Sequence, residues 1–102
     1  MIKLTALYGH PKDAAAFEAY YAETHMPLVA KMTGFLRQEK ALVVGTPGGE
    51  APPYHRMFEG WFESEAAMQA AFGTPEGKAV VDDLANFATG GVTLLVSAVE
   101  TA

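Results

Sequence analysis

The order of local sequence patterns along the chain restricts its fold more than any other feature. Residues 2–8 alternate apolar and polar side chains as a half-buried strand does, and Gly9 to Pro11 end that strand. Apolar residues then recur at three- and four-residue spacing. This spacing predicts a helix that begins after an Asp13 cap and ends at Gly34.

After Gly34, two strands are predicted before the next helices. Strands are predicted at 35–44 and 54–62, a short helix at 65–72, a longer helix at 75–89 and a last strand at 92–100. The order β-α-β-β-α-β is typical of a ferredoxin-like α+β fold, an antiparallel sheet with helices on one face. We expect residues 1–102 to form a single domain.

Large apolar side chains occupy both faces of the predicted sheet. The third strand carries Tyr54, Phe58 and Phe62 on one parity and Met57 and Trp61 on the other. The last strand adds Leu95 and Val99 opposite its fully apolar parity of Val92, Leu94, Val96 and Ala98. The free face of an antiparallel sheet is normally polar. We therefore predict a homodimer in which a second copy packs on the open sheet face, closing a two-chain barrel with room for a ligand between sheet and helices. The alternative is a monomer with scattered apolar surface residues.

Charge and residue content exclude several classes of function. The net charge is −5 and there is no cysteine, so neither nucleic acid nor a membrane surface is an expected partner, and thiolate metal sites are ruled out. The three histidines lack the spacing of a metal site, and Gly45–Gly49 lacks the lysine and following helix of a nucleotide loop, so no cofactor is expected. Without a signal peptide or a long apolar run, we expect a cytoplasmic protein.

His25 is the strongest candidate for chemistry. A helical wheel places it at the edge of the apolar stripe, and Pro27, which has no N–H, should loosen the helix there. A histidine titrates near neutral pH and can carry a proton. Tyr21, one turn earlier, is placed to donate a hydrogen bond to a substrate oxygen, and His10, after the first strand, is a candidate second proton carrier. The alternative is that a freed backbone carbonyl simply holds His25.

An apolar ligand pocket would use the aromatic and thioether side chains near His25. The candidates for its lining are Leu28, Phe35, Met57, Phe58 and Trp61. The competing interpretation is that each of these side chains belongs to the hydrophobic core or to the dimer interface. Asp82 and Asp83 are interpreted as a solvated helix face, and the Tyr20 hydroxyl as reaching solvent.

Several short segments together resemble a known family. They are Tyr8-Gly9-His10-Pro11, the Tyr20-Tyr21 pair, Thr24-His25-Met26-Pro27-Leu28, Gly34-Phe35, Gly45 to Glu50, and Asp83 to Phe87 followed by Gly90-Gly91. In these the chain resembles the EthD-like family, named for ethyl tert-butyl ether degradation, of the dimeric α+β barrel superfamily. The resemblance implies a dimeric barrel that binds or turns over hydrophobic metabolites. The second helical region, 65–89, contains no histidine, unlike haem-binding relatives.

Two functional hypotheses follow. The first is an enzyme, a cofactor-free isomerase, cyclase or oxygenase of a degradation or biosynthesis pathway, in which His25 carries the proton. The second is a non-catalytic accessory module that holds a metabolite for a separate oxygenase. Fold-level resemblance does not choose between them.

Overall fold

The computed structural model describes all 102 residues. Its strands are β1 (Ile2–Gly9), β2 (Arg37–Leu42), β3 (Tyr54–Phe62) and β4 (Val92–Ala98). Its helices are α1 (Ala14–Tyr20), a π-helical turn (Tyr21–His25), α2 (Met26–Ala30), α3 (Glu65–Phe72) and α4 (Pro75–Phe87). No helix has the length and apolar character needed to cross a membrane.

The four strands form one antiparallel sheet in the order β2-β3-β1-β4. The two helical segments connect strands that are not neighbours, which is the split βαβ arrangement. Side chains alternate between the two faces of a strand, and the parity of β1 that carries Ala6 and Tyr8 is buried beneath the helices. The predicted α+β, ferredoxin-like fold is confirmed.

The second strand is shorter than the predicted span of 35–44 because Phe35 leaves the strand and turns into the core. Its ring packs 4.6 Å from that of Phe62 and 6.0 Å from that of Phe58. Gly60 makes room for it, since a Cβ there would lie 2.4 Å from the Phe35 ring. Gly34, at φ 103°, supplies the left-handed backbone that turns the chain into this position.

The predicted helix between Asp13 and Gly34 is divided by the π-helical turn. The Asp13 side chain accepts a hydrogen bond from the Ala16 N–H, as an N-cap does, and the Met26 N–H reaches back five residues to the Tyr21 carbonyl. Pro27 has no N–H to restore the α-helical pattern at this point. The irregular backbone expected at His25 is therefore present, and such turns are frequent at functional sites.

The sheet face away from the helices carries both apolar and charged side chains. Leu7, Met57, Trp61 and Leu95 share this face by strand register. Lys3 forms an ion pair with Glu59 at 2.8 Å beside them. Leu95 is 48% exposed, whereas Leu7, Met57 and Trp61 are partly buried, so part of this apolar centre is exposed within one chain.

Candidate functional site

A cavity lies between the sheet and the helices. It is partly open to solvent, and fourteen of its fifteen lining residues are hydrophobic. Ala6 and Tyr8 of β1 contribute to its lining from the sheet, whereas Met26 of α2 and Leu84 of α4 contribute from the helices. His25 is the exception to this apolar lining.

The His25 imidazole is paired with a carboxylate on the other helical segment. Its Nδ1 lies 2.9 Å from Oδ2 of Asp83, and the two residues are only 3% and 7% exposed. Asp83 belongs to α4, where Val80 and Phe87 are buried on the same face. The π-helical turn and α4 thus bring together two residues 58 positions apart.

Two further donors hold the Asp83 carboxylate. The Tyr20 hydroxyl donates to Oδ1 at 2.6 Å, and the Asn86 amide donates to the same oxygen at 3.0 Å. Burial raises the pKa of Asp83, but the hydrogen bonds from Tyr20, Asn86 and His25 outweigh it and leave that pKa below its usual value. Asp83 is therefore ionised at neutral pH and can only accept hydrogen bonds.

The charge state of His25 follows from its surroundings. Burial lowers its pKa, and the neighbouring Asp83 offsets that effect only in part. The ring is neutral at neutral pH and, because Asp83 can only accept, its single proton sits on Nδ1. Nε2 is left with a free lone pair beside an apolar cavity, as a general base requires.

Tyr21 adds a hydrogen-bond donor without a partner. It lines the cavity, is 1% exposed, and its hydroxyl is buried with no hydrogen bond. Burial raises its pKa to about 12, so the hydroxyl keeps its proton. A buried donor without a partner carries a free-energy cost that a ligand oxygen would remove.

The other residues predicted to line a pocket divide between the two faces of the sheet. Phe35 and Phe58 line the cavity. Leu28 lies outside the lining and packs against the core, partly buried. Met57 and Trp61 do not line the cavity as expected. Side chains alternate along β3, and these two point to the face away from the cavity. There, Lys3 and Arg37 stack over the Trp61 ring.

His10 does not reach the cavity in this structure. It is exposed, its Nε2 lies 2.7 Å from the Pro52 carbonyl oxygen, and it is absent from the cavity lining. His55 instead contacts the Glu18 carboxylate at 3.2 Å. The structure therefore brings Tyr21 to His25 but places the proposed second proton carrier elsewhere. No three His, Asp or Glu side chains come together to hold a metal ion.

Sequence reasoning missed Asp83 and misjudged Tyr20. Asp83 is not on a solvated helix face, and the Tyr20 hydroxyl is bound to it rather than directed to solvent alone. The sequence does contain a pattern that predicts the burial of Asp83. Asp83 follows Val80 by three residues and precedes Phe87 by four, so it lies on the apolar stripe of α4. A carboxylate in such a stripe needs a buried partner.

Comparisons with known proteins agree with this fold. The model of the EthD domain family matches residues 10–91. An uncharacterized 11.0 kDa protein in the thcB-thcC intergenic region of Rhodococcus erythropolis is 38% identical over 101 residues, 99% of this chain and 97% of that protein.

Solved structures extend the comparison. The crystal structure of an ethyl tert-butyl ether degradation (EthD) family protein from Bacillus halodurans is 36% identical, with a TM-score of 0.91, over 98% of this chain and 99% of that one. A dimeric ferredoxin-like protein of unknown function from Thermobifida fusca is 14% identical, with a TM-score of 0.72, over 96% of this chain and 90% of that one. At that identity the likeness concerns the fold alone.

Proposed function

Because this chain belongs to the EthD family, we propose that it binds a small, uncharged, largely apolar metabolite in the cavity and moves a proton on it with His25 as the base. The observation that carries the proposal is the pair of His25 and Asp83 beside an apolar cavity. A neutral imidazole with a carboxylate behind it has one tautomer and one free nitrogen. That arrangement supports proton transfer at Nε2.

The lining of the cavity supports an uncharged ligand. It contains no Asp, Glu, Lys or Arg side chain, so a charged ligand would lose its hydration without gaining a partner. The Tyr21 hydroxyl supplies one donor for a ligand oxygen. A neutral carbonyl compound with an acidic C–H bond beside the carbonyl fits both features.

The proposed step needs no cofactor. Nε2 of His25 takes the proton from the carbon, the C–H electron pair forms the carbon–carbon double bond of an enolate, and the carbonyl π electrons move to the oxygen that Tyr21 stabilises. Return of the proton to a different atom completes an isomerisation. Alternatively, the enolate carbon attacks a second carbonyl carbon within the molecule, the π electrons of that carbonyl move to its oxygen, and protonated His25 returns its proton to the resulting alkoxide, which completes a ring closure. Both outcomes balance without an oxidant.

The proposal is tested by deuterium exchange into 2-tetralone, a small apolar ketone with acidic C–H bonds. We expect the protein in D2O to accelerate exchange above the buffer rate, as measured by proton NMR. Ala6→Leu, which fills the cavity floor, should abolish the acceleration, whereas Ala85→Leu on an exposed position of α4 should not. Binding of the ketone without exchange would instead support the accessory module that hands its ligand to a separate oxygenase.

We also propose that two copies of this chain, each a single EthD-like domain of residues 1–102, associate through the open sheet face. The apolar centre formed by Leu7, Met57, Trp61 and Leu95 supports this, as does the dimeric neighbour of the same fold. Burying such a patch is favourable by about 25 cal/mol per Å² of apolar surface. The patch is then an isologous interface.

Leu95→Asp is expected to convert the dimer into a monomer, because it buries an unpaired charge at the centre of the interface. Light scattering at micromolar concentration measures the change. Ala85→Asp, which adds the same charge to an exposed position of α4, should remain dimeric. A wild-type protein that is monomeric under these conditions contradicts the proposal.

A further inference from the structure

We propose that Tyr20 is a positioning residue, which fixes the Asp83 carboxylate so that the His25 imidazole keeps its proton on Nδ1. This inference rests on the proposed function of His25 and extends it to a residue that does not meet the ligand. It assigns a role to a hydroxyl that reaches the site from outside the cavity.

The two oxygens of the Asp83 carboxylate have different hydrogen-bond partners, and this supports the role of Tyr20. Oδ2 of Asp83 faces Nδ1 of His25 at 2.9 Å, whereas Oδ1 accepts hydrogen bonds from Tyr20 and Asn86. A carboxylate held through Oδ1 cannot turn its plane without breaking those two bonds. The orientation of Oδ2 toward the imidazole is therefore set from the other side of the carboxylate.

Tyr20 is better suited to this task than Asn86. Asn86 lies three residues after Asp83 on the same helix and moves with it, whereas Tyr20 comes from α1. Its bond to Asp83, at 2.6 Å, is the shorter of the two and joins α1 to α4. Hydrogen bonds to an ionised acceptor are stronger than those between neutral groups.

Tyr20 acts from outside the cavity. Tyr20, Asn86 and Thr89 line a separate surface depression near the start of α1, while the cavity that contains His25 includes none of them. A ligand in the cavity thus has no contact with Tyr20. The Tyr20 ring also stacks on Phe87, which contacts the His25 ring, but the only partner of the Tyr20 hydroxyl is Asp83, so an effect of the hydroxyl on proton transfer must pass through Asp83 to His25.

The test compares Tyr20→Phe with Tyr54→Phe, which removes a tyrosine hydroxyl without a hydrogen bond at the start of β3. Phenylalanine keeps the ring that stacks 5.3 Å from Phe87, so the packing is retained. Nitrogen-15 NMR of the His25 ring at neutral pH reports which nitrogen carries the proton. We expect Nδ1–H alone in the wild type and in Tyr54→Phe, and a mixture of Nδ1–H and Nε2–H in Tyr20→Phe.

The kinetic readout is exchange into 2-tetralone. Tyr20→Phe should lower kcat about 10-fold, the lower end of the range known for residues that orient metal-ligating histidines, and leave KM unchanged because the ligand does not touch Tyr20. Asn86→Ala, a second variant, should shift the tautomers in the same direction by a smaller amount.

If Tyr20→Phe has the same ratio of His25 tautomers as the wild type, the inference is overturned. It is also overturned if the variant has a lower melting temperature but the wild-type kcat and the wild-type tautomer ratio. The NMR measurement needs no substrate. If the wild type fails to exchange 2-tetralone, the proposed function fails, while the tautomer ratio still decides the role of Tyr20.

Discussion

His25→Gln is expected to lower the rate of deuterium exchange into a bound ketone by about 10²–10⁴-fold, the usual contribution of a general base. Glutamine has nearly the polarity of histidine but no basic nitrogen at neutral pH. It can still donate to Asp83, so the carboxylate is not left without this partner. Ligand affinity should change little, since the remaining fourteen lining residues are hydrophobic and unaltered.

The matched control is His55→Gln, which removes a histidine that contacts Glu18 outside the cavity. Its exchange rate should equal that of the wild type. If His25→Gln exchanges the ketone as fast as the wild type while remaining folded by circular dichroism, the base is not His25.

The pH dependence of the same reaction follows from the state of His25. The base must be unprotonated, so the wild-type rate falls as pH decreases through the pKa of His25. Burial lowers that pKa below its usual value of 6.5, against the charge of Asp83, while Tyr21, which stacks on the His25 ring, remains neutral. The fall in rate should therefore begin at a lower pH than for a histidine on the surface, and His25→Gln should lose it.

Asp83→Asn is expected to lower the exchange rate by a comparable factor, about 10²–10⁴-fold, although Asp83 does not line the cavity. The amide can present its NH₂ group to His25, and Nδ1 then accepts rather than donates. The ring proton moves to Nε2, where the base is needed. The ligand should bind as before, because the cavity surface is unchanged.

The control for this variant is Asp82→Asn, which removes the same charge from the adjacent, exposed position of α4. Asp82→Asn should retain the wild-type rate and stability. Nitrogen-15 NMR of His25 in Asp83→Asn should show Nε2–H as the main tautomer. A rate unchanged in Asp83→Asn would mean that the carboxylate has a structural role only.

How much of the site was predictable differs from residue to residue. His25 and the irregular backbone around it were accessible from the sequence, because the missing N–H of Pro27 acts locally. Of the residues predicted to line a pocket, Phe35 and Phe58 line the cavity, whereas Met57 and Trp61 lie on the opposite face of the sheet. Strand periodicity separates the two parities of β3 but does not say which parity the helices cover.

The sequence by itself determined the order of strands and helices, since turn residues, helix caps and hydrophobic periods are local properties that act over a few residues. It also indicated an irregular helix at His25, because Pro27 follows two residues later and has no N–H. Only the tertiary structure decided that His25 faces Asp83, that Tyr20 holds the same carboxylate, and that Tyr21 is left without a partner. Tyr20 and Asp83 lie 63 residues apart in the chain, and the packing of α1 against α4 over one sheet face is what brings them together.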